Sequence, residues 1–192
     1  MTTPETVHQW IRSRRSTFIP QFEPGKTIPD EWVMELLENA NNAPTHKLTE
    51  PWRFTVYSGA GLQKLAEAQA ALYKAEAGEK FKQATHDRLL QQPLQCSHVI
   101  AIGMKRHETV PLMEEIAAMG AAVENIYLGL AAYGIGGYWS TGGITFYKGA
   151  NSLFGLEEQD LFLGFFFLGF VKSPSPVRKP GNLAEKVRWI KD

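Results

Sequence analysis

At 192 residues, with 44% apolar and 21% charged side chains, the chain has the size and composition of one soluble globular domain, although two small domains would also fit. Twenty basic and twenty acidic residues cancel, which argues against nucleic-acid coating and against a strongly anionic membrane partner. The single Cys96 rules out an internal disulfide and any multi-cysteine metal site.

Thr3-Pro4-Glu5 reads as a helix start, with Thr3 as N-cap and Pro4 in the first turn. Val7, Trp10 and Ile11 give that helix an apolar face, and it runs into Ile11-Arg12-Ser13-Arg14-Arg15-Ser16-Thr17-Phe18. Three arginines and two serines within six positions, with no acid among them, supply forked N–H donors and short hydroxyls suited to an anion such as a phosphate. A charged helix end facing solvent is the plainer reading of the same cluster. Residues 18–25 carry two prolines and a glycine and read as extended chain and turn. Pro29-Asp30-Glu31 opens a second helix with the stripe Trp32, Val33, Leu36, Leu37 and Ala40, ending near Asn41-Asn42.

A second polar loop, Pro44-Thr45-His46-Lys47-Leu48-Thr49-Glu50-Pro51-Trp52, leads into the strand 53–57, a common placement for ligand-binding residues. Leu62, Leu65, Ala66 and Leu72 suggest a helix that Gly78 interrupts, and residues 81–92 a further helix stopped by Pro93. Mixed charge and alanine leave this region weakly specified, so it reads as a candidate mobile cover over a site. Residues 97–104 form a buried strand, and 111–133 the longest helix, a central core or dimer element with Ile116, Met119, Val123, Ile126, Tyr127 and Leu130 on one face. Its Gly120, Ala121 and Gly129 would admit a neighbouring helix closely. Glu114, Glu115 and Glu124 argue against a membrane span.

The run Gly134-Ile135-Gly136-Gly137-Tyr138-Trp139-Ser140-Thr141-Gly142-Gly143 reads either as backbone that approaches a flat ligand or as tight turns. A short helix follows over 146–153, and residues 161–170 read as a central strand covered on both faces. From 172 to 192 prolines, Gly181 and the basic pair Arg178-Lys179 mark an extended tail rather than a second domain. About four strands among many helices give an α+β fold with a mixed, mostly antiparallel central sheet covered by helices. No charged, apolar and cleavable leader opens the chain, and the apolar run 161–171 is too short to cross a bilayer as a helix, so a cytoplasmic location is expected.

Several chemistries lack their motifs: the dinucleotide glycine fingerprint, the phosphate loop, the His-Glu-x-x-His metal site and the Gly-x-Ser-x-Gly nucleophile elbow. His98, inside an apolar strand, reads as structural. His46, in a polar loop, reads equally as a ligand contact or a surface residue. Cys96 borders a buried strand and reads as an inert thiol. No residue is assigned a catalytic role, and no metal is expected.

Taken in order, Arg14-Arg15-Ser16, Asn42-Ala43-Pro44-Thr45-His46-Lys47, Pro51-Trp52-Arg53-Phe54, Gly134-Ile135-Gly136-Gly137-Tyr138-Trp139 with Gly142, Leu168-Gly169-Phe170 and Arg178-Lys179-Pro180 resemble the nitroreductase family, in its short bacterial single-domain branch. The agreement runs over nearly the full length, and the motifs are specific together rather than singly. The resemblance implies an α+β homodimer with FMN at the subunit interface and NAD(P)H as co-substrate. It implies that Arg14 and Ser16 hold the phosphate or ribityl end, with Arg15 contacting nearby flavin atoms and Arg178 or Lys179 returning to the phosphate. It further implies that Pro44, Thr45, His46 and Lys47 approach the same cofactor, and that Tyr138, Trp139, Ser140, Thr141, Gly142 and Gly143 border the flavin ring. Compared with larger members, this chain has little sequence between Ala75 and Pro93 for an elaborate substrate lid. The implied reaction is ping-pong reduction of a nitroaromatic, quinone or related small-molecule acceptor. Dehalogenation, flavin fragmentation or ring oxidation on the same fold, and a non-catalytic flavin-binding regulator, are the alternatives.

Overall fold

Alternation along two apolar strands sets up the architecture. In β2 (His98–Met104) Ile100, Ile102 and Met104 face one side and Val99 and Ala101 the other; in β4 (Leu161–Phe170) Phe166 and Leu168 oppose Phe165 and Phe167. Both strands are therefore buried on two faces, and each face needs its own helical layer. The computed structural model, which describes residues 2–191, supplies both layers.

The sheet runs β1 (Trp52–Ser58), β2, β4, β3 (Ile135–Ser140). All three pairings are antiparallel, so the parallel member that a mixed sheet would add is absent among the described strands. One face is covered by α2 (Asp30–Asn41) and α5 (Leu112–Leu130), through Val33, Leu36, Ala40, Met119, Val123 and Ile126. The other is covered by α3 (Ala60–Glu76), α4 (Gln83–Gln91) and α6 (Ala150–Leu153), through Leu62, Leu65, Tyr73, Leu89 and Ala150. The helix α1 (Pro4–Ser13) buries none of its residues.

Two expectations change on contact with this packing. Residues 81–92 are no loose cover: Leu89 is buried, its carbonyl accepts from buried Gln69 at 2.6 Å, and the Tyr73 hydroxyl accepts from the Lys82 N–H at 2.8 Å. The glycine-rich run 134–143 is mainly the edge strand β3 rather than a series of turns, because β4 offers it a hydrogen-bonding edge from Phe170 to Phe165.

The long helix has the length and apolarity of a membrane span, with mean hydropathy 1.3 over Leu112–Tyr133, yet its inner stripe is covered by the sheet and α2. Gly129 sits where a Cβ would lie 2.6 Å from Leu36, which is the close helix approach expected of it. Gly120 faces open space, and with Met113, Ile116 and Ala117 forms an exposed stripe on the opposite side. Residues 172–191 form no strand or α-helix and bury no residue; Val177, Leu183, Val187, Trp189 and Ile190 are all exposed.

Candidate functional site

The basic cluster sits where α1 ends. Arg14 caps the helix, its N–H donating to the Trp10 carbonyl at 3.2 Å, and the chain then turns along the sheet edge, the Thr17 N–H donating to the Gly137 carbonyl at 2.9 Å. The tail returns to the same place. The Ser175 hydroxyl donates to the Ser16 carbonyl at 2.6 Å, and Gln21 Nε2 donates to the Ser173 carbonyl at 3.3 Å. Two stretches about 160 positions apart in sequence thereby close a cleft of about 390 Å³ lined by Arg14, Arg15, Ser16, Gln21, Ser175 and Arg178. An adjoining cleft of about 560 Å³ shares Arg14, Arg15 and Arg178 and adds Arg12 and Glu124. Lys179 lines neither.

The donors are not equally available. Arg15 Nη1 donates to the carbonyls of Arg12 and Arg14, both at 2.7 Å, so part of this side chain caps the carbonyl end of α1. Arg14 Nε lies 3.4 Å from Glu124 Oε1, and its guanidinium carbon stands 5.0 Å from the Tyr127 ring centroid. Ser16 Oγ lies 3.4 Å from the Tyr127 hydroxyl.

Beside the cluster, the aromatic pair of β3 is already engaged by its own fold. Tyr138 stacks on Phe167 at 5.2 Å and meets Phe18 at 5.0 Å, and burial pushes its phenol above the ordinary range. Trp139 Nε1 donates to the Leu163 carbonyl at 2.8 Å, and its backbone N–H donates to the Tyr127 hydroxyl at 2.7 Å. The glycines of this run divide by role. A Cβ at Gly136 would lie 2.7 Å from Thr17, and one at Gly137 would lie 2.6 Å from Phe166, so these two serve internal packing. Past Ser140 the backbone emerges at exposed Thr141, Gly142 and Gly143, and a Cβ at Gly142 would touch nothing. Close approach of a ligand's flat face is open there, rather than at the earlier pair.

The loop 44–50 lies elsewhere. Lys47, Leu48 and Glu50 adopt φ of 53°, 54° and 44°, a left-handed conformation that non-glycine residues seldom hold and that concentrates at ligand clamps. His46 Nδ1 is 3.0 Å from Glu114 Oε2 and Lys47 Nζ donates to the Thr109 carbonyl at 3.2 Å, while Pro44 is exposed and Thr45 pairs with Thr49. Glu114 and Glu124 are ten positions apart on α5, about 15 Å along its axis. One chain thus presents the expected residues as two groups: Arg14, Arg15, Ser16 and Arg178 at one end of α5, and the 44–48 loop at the other.

Sequence reasoning passed over Tyr127, Gln21, Ser175 and Glu115. Tyr127 was read as core, with no local signal to separate it from Ile126 beside it. Glu115 is 1% exposed and takes bonds from Arg106 Nη1, from the His107 N–H at 3.1 Å and from the His107 ring at 2.9 Å. That cluster pins the 105–110 segment on which Lys47 rests. Ser97, His98 and Asp30 fall in line, His98 Nδ1 2.9 Å from Ser97 Oγ and Nε2 2.8 Å from Asp30. Ser97 is nevertheless buried and accepts from the Ile28 N–H at 2.6 Å, so the line ties α2 to β2 and exposes no nucleophile. Burial pushes the Cys96 thiol up to about 12, in keeping with an inert thiol. Among the described residues no cluster of three His, Cys, Asp or Glu side chains is arranged to hold a metal.

Fold and cleft together define a three-layer α+β domain with an arginine-lined cleft at its sheet edge. The sequence profile of the Nitroreductase family matches residues 11–170, and the chain belongs to that family. It is 30% identical over 149 residues to "Putative NAD(P)H nitroreductase YdjA" of Escherichia coli (strain K12), across 77% of this chain and 79% of that one. It is 29% identical over 194 residues to "Putative NAD(P)H nitroreductase YfhC" of Bacillus subtilis (strain 168), across 93% and 97%. Among solved structures, a nitroreductase-like family protein from Bacillus cereus superposes with TM-score 0.84 at 25% identity over the whole of both chains. A "putative nitroreductase in complex with fmn" from Desulfovibrio desulfuricans superposes with TM-score 0.73 at 23% identity, covering 100% of this chain and 99% of that one.

Proposed function

We propose that this chain is an FMN-dependent oxidoreductase that uses NAD(P)H to reduce nitroaromatic, quinone or related acceptors, acting as a homodimer with FMN at the subunit interface. The observation that carries the proposal is the convergence of Arg14, Arg15, Ser16 and Arg178 on one cleft, in a family whose relatives are named as NAD(P)H nitroreductases and include an FMN complex. A phosphate dianion calls for several charge-assisted donors, and this cleft offers guanidinium groups from two directions plus a hydroxyl. The residues present therefore fit FMN.

FMN, when bound, supplies the two-electron chemistry, accepting hydride from the nicotinamide and delivering it to the acceptor in alternation. The chain's own groups bind and orient. Arg14, Ser16 and Arg178 hold the phosphate end, and Arg15 steadies the helix terminus beside it. The open backbone at Thr141, Gly142 and Gly143 borders the ring, with Tyr138 and Trp139 fixing the strand that delivers it. No protein nucleophile is needed, in keeping with the buried, protonated Cys96.

Two features support a dimer. The chain exposes 12018 Å², whereas a compact monomer of 21.5 kDa is expected to expose about 9,200 Å². The excess is of the size that obligate homodimers cover. It is also placed where a partner is needed: on the Met113, Ile116, Ala117 and Gly120 stripe of α5, on Leu48, and on the tail. In such a dimer the Pro44, Thr45, His46 and Lys47 loop reaching a given FMN comes from the second copy, which accounts for its distance from Arg14 in one chain. A cytoplasmic location and a single small acceptor per turnover belong to the same proposal.

The test is the absorbance spectrum of purified, FMN-loaded protein under anaerobic addition of NADH and NADPH in turn, with light scattering for mass. Bleaching of the flavin band in a species of two chains is expected. A flavin that stays oxidised with both donors overturns the oxidoreductase reading, and a single-chain mass at micromolar concentration overturns the dimer.

A further inference from the structure

One side chain touches both Arg14 and Ser16 of the arginine-lined cleft, yet does not itself line it. Tyr127 lies on α5 three positions beyond Glu124 and is half-buried. Its ring packs edge-on against fully buried Phe166 at 4.8 Å, which roots it in the core. Its ring centroid lies 5.0 Å from the Arg14 guanidinium carbon, within cation–π range. Its hydroxyl accepts from the Trp139 backbone N–H at 2.7 Å and lies 3.4 Å from Ser16 Oγ.

The donor accounting gives this arrangement a direction. A phenol has one proton to give. Its oxygen accepts from Trp139, and its proton can be given to Ser16 Oγ; in that arrangement Ser16 keeps its own proton for a ligand on the far side. Arg14 is steadied in the same way, Glu124 taking its Nε and the Tyr127 ring supporting the plane. An unsupported arginine loses much of its rotamer freedom on binding, so fixing it beforehand favours the bound state.

We propose that Tyr127 is a positioning residue that sets selectivity for a phosphorylated flavin over its unphosphorylated counterpart, by orienting the Ser16 hydroxyl and holding the Arg14 guanidinium. The inference rests on the reading of the cleft as a phosphate site. No contact between Tyr127 and the ligand is required.

The experiment titrates apoprotein with FMN and, separately, with riboflavin, following flavin fluorescence. Tyr127→Phe removes the hydroxyl and keeps the ring; Tyr127→Leu removes both. The FMN-to-riboflavin affinity ratio is expected to fall about fivefold in Tyr127→Phe and further in Tyr127→Leu, through weaker FMN binding at unchanged riboflavin binding. Ser16→Ala is expected to weaken FMN binding in the unsubstituted protein and to add little in the Tyr127→Phe background, because the hydroxyl would already have lost its orientation. A ratio unchanged in Tyr127→Phe overturns the inference, as does an equal loss for both ligands, which a merely structural tyrosine would produce. An unsubstituted protein that binds FMN no better than riboflavin overturns the phosphate reading itself, and the inference with it.

Discussion

Gly136→Ala tests whether the N-terminal segment is held at the sheet edge by packing. A Cβ there would lie 2.7 Å from both Thr17 Cβ and Thr17 Oγ1, and 2.8 Å from Val171 Cγ2. Ordinary contact needs about 3.5–4.0 Å, so three atoms from two segments must each move by roughly 0.7 Å or more. Neither segment is free to yield: Thr17 donates to the Gly137 carbonyl at 2.9 Å, and Val171 is bridged to Phe22. Overpacking of this kind costs about 1–3 kcal/mol. With a urea m-value of about 2 kcal/mol/M, the unfolding midpoint should drop by roughly 0.5–1.5 M at fixed protein concentration. Since Thr17 adjoins Ser16, FMN retention should fall in the same variant. A midpoint and an FMN affinity both equal to those of the unsubstituted protein would refute the reasoning.

Glu115→Ala leaves the Arg106 charge, only 19% exposed at its side chain, without its partner, and should destabilise by about 3–5 kcal/mol, whereas Glu115→Gln keeps an acceptor and should lose less; urea unfolding distinguishes the two. Cys96, its thiol pushed to about 12 by burial, should react with a disulfide reagent at pH 8 about a thousandfold more slowly in the folded than in the urea-unfolded protein. Because the folded thiol holds its proton above the pH at which the unfolded one releases it, Cys96 contributes stability that is complete below about pH 8.5 and lost as pH rises from there toward 12. Cys96→Ala should flatten that part of the stability profile, and equal slopes in both proteins would sink the linkage. Truncation after Gly181 removes Leu183, Val187, Trp189 and Ile190, all exposed in one chain, and should raise the dimer dissociation constant in sedimentation by tenfold or more, at about 1.4 kcal/mol per decade. An unchanged constant would assign the tail no part in association.

Much of the fold was legible because local rules and tertiary demand agree. Pro29 precedes α2, whose first turn carries Asp30 and Glu31 at the positive end, and Ala43-Pro44 follows its end, where a proline cannot continue the helix. The run 161–170 is apolar at nearly every position, which only a strand covered on both faces tolerates. Where local cues were weak, the reading went less far. Residues 81–92 read as a helix, which α4 bears out, but their few apolar positions did not show how firmly it packs; buried Leu89 and hydrogen bonds to Gln69 and Tyr73 decided that. The run 134–143 suggests either tight turns or backbone open to a flat ligand because five of its ten residues are glycine. Two of those glycines turn out to be places where Thr17 and Phe166 occupy the space a side chain would need.

The candidate site divides along the same line. Residue type and order, with the family resemblance, pointed to Arg14, Arg15 and Ser16, and to Arg178 or Lys179, as candidate phosphate contacts, since charge and donor geometry belong to the side chains themselves. That Arg14, Arg15, Ser16 and Arg178 meet at one cleft depends on Ser175 reaching Ser16 across more than 150 positions, a contact with no local signature. The tertiary structure alone decided that Tyr127 stands beneath Arg14 and that His46 and Lys47 lie about 15 Å from it along α5. Distances between separate elements are set by how whole faces pack, and no short stretch of sequence carries that information.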